Sequence, residues 1–189
     1  MHIFVKTSLT AVLGIVFATV PMSAATIFST TLSGANEVPP TGSAGMGTAL
    51  VTLAADTLSV SITFSGLGSP DGAAHIHCCG PVGVNEPIAV PFTGFPTGVT
   101  SGSFNGSFDL TSLGSYSAAF LLANGNTAAS AEAALIAGLN AGQAYANIHT
   151  TNFGGGEIRG QLAAVPEPAT AFLAGGVLAA LALLRRKRA

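Results

Sequence analysis

Between its two ends this chain is almost without cations. Lys6 and four residues near the C-terminus account for five of the six Lys and Arg, which leaves Arg159 alone in between. Seven acids stand against it: Glu37, Asp56, Asp71, Glu86, Asp109, Glu132 and Glu157. Seven acids less one base put the interior near −6, although the whole chain carries only −2. Such a surface repels phosphate backbones, so nucleic acid is excluded as a partner. Charged residues of both signs make up only 7% of the chain. Ser, Thr, Asn and Gly solvate the surface instead, and at alternating positions they suit the exposed face of strands. No internal repeat and no long linker is visible.

Long apolar runs are also scarce, and both candidates lie at the termini. The first runs from about Leu9 to Val20, behind Lys6 and ahead of Pro21, Ser23, Ala24 and Ala25. It is too short to span a membrane comfortably, and with its small-residue exit it reads as a secretory signal peptide over 1–25. The second covers about sixteen residues, Ala169 to Leu184, between Pro166-Glu167-Pro168 and the basic Arg185, Arg186, Lys187 and Arg188. Terminal cations can snorkel to cytoplasmic phosphates and extend a short transmembrane helix. Motif, helix and basic tail in this order resemble the PEP-CTERM sorting segment of Gram-negative bacteria, here over 165–189. The resemblance implies signal peptidase and an exosortase as processing partners and transient anchoring in the inner membrane, with the domain in the periplasm. It further implies delivery to the envelope, cell surface or medium, often beside exopolysaccharide or other envelope proteins.

What remains, 26–164, is one domain with room for a core. Leu58, Val60, Ile62 and Phe64 alternate with Ser59, Ser61, Thr63 and Ser65, which is the period of a strand buried on one face. Thr48–Leu53 precedes it, with Ala55-Asp56 at the hairpin turn. Further strands are expected over Thr26–Leu32, Ala73–His77, Ile88–Pro91, Gly102–Leu110, Ser115–Leu121, Ala144–Thr150 and Glu157–Leu162. Alanine-rich Thr127–Leu139 reads as one short inserted helix, with Thr127 or Ser130 as its cap. Short strands punctuated by Gly and Pro predict an all-β fold, an immunoglobulin-like or Greek-key β-sandwich.

Histidine and cysteine are rare but clustered. The domain holds three histidines and two cysteines, and Ala74-His-Ile-His-Cys-Cys-Gly-Pro81 contains four of these five. Residues two apart in a strand share a face, so His75 and His77 point together, as do Tyr145, Asn147 and His149. If the strands meet, His75, His77 and His149 converge as neutral imidazoles suited to copper or zinc. The competing reading makes them structural residues bonded to backbone, Asn147 or Thr150. Cys78 and Cys79 are adjacent, which excludes an ordinary staple across a long loop, since neighbouring Cα atoms lie about 3.8 Å apart across a trans peptide. A vicinal disulfide stiffening the loop, intermolecular pairing, or soft ligation beside the histidines remain open. Arg159 is expected to form a structural ion pair with Glu37 or Glu157.

Leu32-Ser-Gly-Ala-Asn-Glu-Val-Pro-Pro40, the Ala74–His77 strand, and Tyr145–Thr150 leading to Gly155–Leu162 together resemble the CHRD domain, named from chordin and common in bacterial secreted proteins. That resemblance spans nearly the whole domain and implies an extracellular β-sandwich with no generally established reaction. Here Cys78 and Cys79 stand between His-Ile-His and Gly80, where the commoner pattern runs straight to glycine. The His-x-His strand also resembles copper–zinc superoxide dismutase, but three histidines cannot supply four copper ligands and a separate zinc set. Gly154-Gly155-Gly156 precedes a strand rather than a helix and makes no phosphate loop. No catalytic residue stands out. The chain reads as an exported structural or interaction module, or alternatively as a secreted metal-binding or redox protein built on the three histidines.

Overall fold

The computed structural model describes residues 25–166. The residues before Ala25, read above as a signal peptide, and those from Glu167 onward, read as a sorting segment with Pro168 and the basic residues 185–188, lie outside the described residues. Among the described residues no helix is long and apolar enough to cross a membrane.

The domain is mostly β, with one antiparallel sheet of nine strands. These are β1 (Thr26–Ser33), β2 (Met46–Ala54), β3 (Thr57–Ser65), β4 (Asp71–Cys78), β5 (Ile88–Pro91), β6 (Gly102–Asp109), β7 (Ala144–Thr150), β8 (Ile158–Gln161) and β9 (Ala163–Ala164). They pair in the order β5-β4-β7-β8-β1-β2-β3-β6, with β9 on β1. The hairpin between β2 and β3 turns where the sequence predicts it. Ala54 pairs with Thr57, and Ala55 takes the positive φ of 47° that a two-residue turn requires.

The alternation read from β3 is reproduced residue by residue: Leu58, Val60, Ile62 and Phe64 are buried and the residues between them are exposed. Leu32, Phe28 and Val51 continue this inner face on β1 and β2. The sheet curls, and phenylalanines join its two ends. Phe92, just past β5 at one edge, stacks on Phe104 of β6 at the other edge with ring centroids 5.5 Å apart. Phe95 likewise stacks on Phe64 at 5.5 Å. A single apolar cluster therefore runs from Ile76 and Ile148 through to Phe108.

Two helices lie between β6 and β7: α1 (Ala118–Ala123) and α2 (Ala128–Asn140). The second is the expected inserted helix, and the Thr127 side chain caps it by accepting from the Ser130 N–H. The first corrects an expectation. Ser115–Leu121 is not a strand: a 3-10 turn over Leu113–Ser115 leads into α1, capped by Ser117. Tyr116, extended just before the cap, and Phe120 on α1 are both buried and stack at 6.1 Å.

Candidate metal centre

On β4, β7 and β8 the sheet face opposite the apolar core carries polar side chains, of which His77, Tyr145, Asn147 and Arg159 are buried and His75 and His149 half-buried. Pairing sets His75 opposite Asn147, His77 opposite Tyr145, and Asn147 opposite Arg159. Parity puts all of them on one face with His149. Of β7, only His149 escapes full burial.

His77 and His149 are oriented from behind. Nδ1 of His77 lies 2.7 Å from the Glu86 carbonyl oxygen, and Nδ1 of His149 lies 3.0 Å from that of Gly154. A carbonyl can only accept, so each Nδ1 carries a proton and each Nε2 presents a lone pair in the neutral ring. The two Nε2 atoms face each other at 3.4 Å. Two lone pairs at that distance repel unless a proton or a cation stands between them. A proton is disfavoured there. Burial is the main cause that lowers all three imidazoles, and the neighbouring imidazoles add to it at His75 and His77. These two fall from 6.5 to about 4, and at His149 the Gly154 hydrogen bond only partly opposes the fall. At neutral pH the cluster is therefore uncharged.

His75 completes the group. Its ring centroid is 4.9 Å from that of His149, its Nδ1 is buried without a partner, and the three ligand atoms lie within 4.8 Å of one another. No carboxylate or sulfur among the described residues joins them. Cys78 and Cys79 are placed elsewhere. As the residue after His77, Cys78 points to the opposite face and sits in the apolar core, disulfide-bonded to Cys79.

Support for His77 comes from groups that sequence reasoning missed. The Tyr145 ring stacks on it at 4.8 Å with an interplanar angle of 3°, and the Arg159 guanidinium lies 4.6 Å from the Tyr145 centroid on that ring. Tyr145 Oη also accepts from the Glu86 N–H at 3.0 Å, fixing the residue whose carbonyl orients His77. The aromatic at 145 was visible as a facing residue, but nothing in the sequence brought the loop at Glu86 to it.

The expected ion pair takes a different form. Arg159 Nε lies 3.9 Å from the Glu37 carboxylate, while closer contacts at 2.7 Å go to neutral acceptors, the Asn36 carbonyl and Asn85 Oδ1. Burial of Glu37 outweighs the guanidinium and pushes its carboxyl up to about 7. Glu157 forms no ion pair with Arg159. Its fully buried carboxylate accepts from Ser43 Oγ, from the Gly68 N–H at 2.6 Å and from Thr150 Oγ1 at 2.7 Å. Burial alone would raise its pKa, but these donors together hold it below the ordinary value.

The CHRD domain model matches residues 28–162. The chain belongs to the CHRD family. No curated protein and no solved structure matches it. The CHRD match runs through all three histidines and both cysteines, so the candidate centre lies inside the family domain and not in an appendage.

Proposed function

We propose that this CHRD protein is an exported module of the cell envelope or extracellular matrix that holds one copper or zinc ion through His75, His77 and His149. The observation that carries the metal reading is the 3.4 Å approach of two Nε2 lone pairs, each fixed by a backbone acceptor behind it. Metal–imidazole bonds near 2.05 Å in a tetrahedral site give an N···N edge of about 3.3 Å. His77 and His149 already stand at that spacing, and rotation of the His75 side chain closes the set. The backbone acceptors on Nδ1 are the outer partners that metal-bound histidines ordinarily have. Water or an external ligand takes the fourth position.

Export rests on the Lys6-to-Ala25 pattern and on the Pro166-Glu167-Pro168, apolar, basic order of the tail. On this reading signal peptidase and an exosortase process the chain, and exopolysaccharide or other envelope proteins are its neighbours. The curled sheet is read as a β-sandwich folded about its single core. No reaction is assigned to it.

The full chain, exported in a Gram-negative host and purified in mild detergent, is loaded with copper or zinc and freed of excess. About one ion per chain is expected, with affinity falling about 100-fold or more in His77→Gln and His149→Gln. Substoichiometric metal in the parent, or stoichiometry unchanged in both variants while circular dichroism reports a folded chain, overturns the reading.

A further inference from the structure

The Cys78–Cys79 disulfide has no part in the histidine group, yet the fold makes room for it. It sits against α2 at Gly138, where an added Cβ would overlap both sulfurs. Beside it opens a groove of about 240 Å³, walled by Glu86, Pro87, Phe120, Asn124 and Ala134 and lined by both cysteines. The two sulfurs are not equivalent. Cys78 is 2% exposed and packed in the core, whereas Cys79 is only partly buried. Cys79 Sγ also lies 3.4 Å from the Ala134 carbonyl oxygen, an acceptor that only a reduced thiol can use.

From this arrangement we infer that the groove is a thiol–disulfide exchange site, with Cys79 the attacked sulfur and Cys78 the leaving one. A thiolate enters the groove and bonds to Cys79 Sγ; the S–S bond breaks and Cys78 departs as a thiolate that takes a proton from water. A second external thiol attacks the bound thiol's sulfur and releases Cys79. The balance is one protein disulfide and two thiols giving two cysteines and one external disulfide. Glu86 is the groove's charged wall, in a domain near −6, so the site favours neutral or cationic thiols over anionic ones.

The inference does not depend on bound metal, and the test is run on chain stripped by a chelator, so its failure is distinct from failure of the metal reading. The native full chain is treated with cysteamine or with 2-mercaptoethanesulfonate, quenched with maleimide and mapped by mass spectrometry. The expected result is an intermediate adduct on Cys79, then two alkylated cysteines. Compared per thiolate, cysteamine reacts about fivefold faster or more, as one or two unit charges near the path require. That preference shrinks in Glu86→Gln. An adduct on Cys78, two free thiols before treatment, reaction only in denaturant, or equal rates for the two reagents overturns the inference.

Discussion

The two halves of the sheet use their outer faces in opposite ways. On β2 and β3 the outer face is open to water: β3 presents Ser59, Ser61 and Thr63, β2 presents Thr48 beside the exposed Met46 and Leu50, and Thr48 and Thr63 bond to each other across the strands at 2.9 Å. On β4, β7 and β8 the outer face bears His75, His77, Tyr145, Asn147 and Arg159, under loops that supply Glu37, Glu86 and Gly154. The inner faces are alike, apolar and continuous. An inner face maintains the fold, and a covered polar outer face requires partners for every group it buries. Glu37 Oε1, Asn147 Oδ1 and His75 Nδ1 lie there buried and unpartnered, in the region where metal binding is proposed.

The contrast breaks most severely at Glu157, which bridges the β1–β2 loop, the β3–β4 loop and the end of β7. Replacing it with Ala strands donors from Ser43, Gly68 and Thr150 and is expected to cost about 3–5 kcal/mol in urea unfolding. A loss under about 1 kcal/mol would show that water replaces the carboxylate freely. Arg159→Ala comes next, at about 2–3 kcal/mol with a lower melting temperature, because the Asn36 carbonyl and Asn85 amide lose a charged donor. An unchanged melting temperature would remove Arg159 from the structural account.

The pH dependence sharpens the same comparison. With metal chelated, His75 and His77 favour the fold fully above about pH 6.5 and lose that contribution as pH falls toward 4, since the folded rings resist protonation. Glu37 has the opposite sign. Its contribution is full below about pH 4.5 and is lost as pH rises to 7, because burial favours the protonated carboxyl. The two trends offset each other in the parent, so Glu37→Gln is expected to steepen the rise in stability between pH 4.5 and 6.5. Parallel profiles for parent and variant would show that Glu37 is not raised. At the small end, Ser61→Ala on the open half is expected to shift stability by less than about 0.5 kcal/mol. A larger loss there would mean that the hydroxyl face is not simply solvated.

How much was legible varied with the length scale of the interaction. β3 could be read residue by residue because alternation is a local consequence of the pleat. Ser115–Leu121 could not, since Tyr116 and Phe120 suit either period over so short a stretch and the Ser117 cap decided for helix. The three imidazoles were legible as candidates because parity aligns neighbours two apart. The support of His77 by Tyr145 and Arg159 was not, since it crosses from β4 to β7 and β8 through a loop. For the lone cation Arg159 the sequence offered Glu37 or Glu157 as partner, and the fold places only Glu37 beside it, at 3.9 Å. The fold instead brought Glu157 hydroxyl and backbone donors from as far as 114 residues away.

By itself, the sequence determined most of the strands, the β2–β3 hairpin, the capped α2 helix and which histidines are candidates to converge. Each of these follows from spacing, composition or chirality within a few residues. Only the tertiary structure decided which lone pairs face each other, which carboxyl burial pushes upward, and which of the two sulfurs is the more exposed. Those outcomes depend on burial and on hydrogen bonds between segments far apart in the chain, where a displacement of one ångström changes the partner of a polar atom.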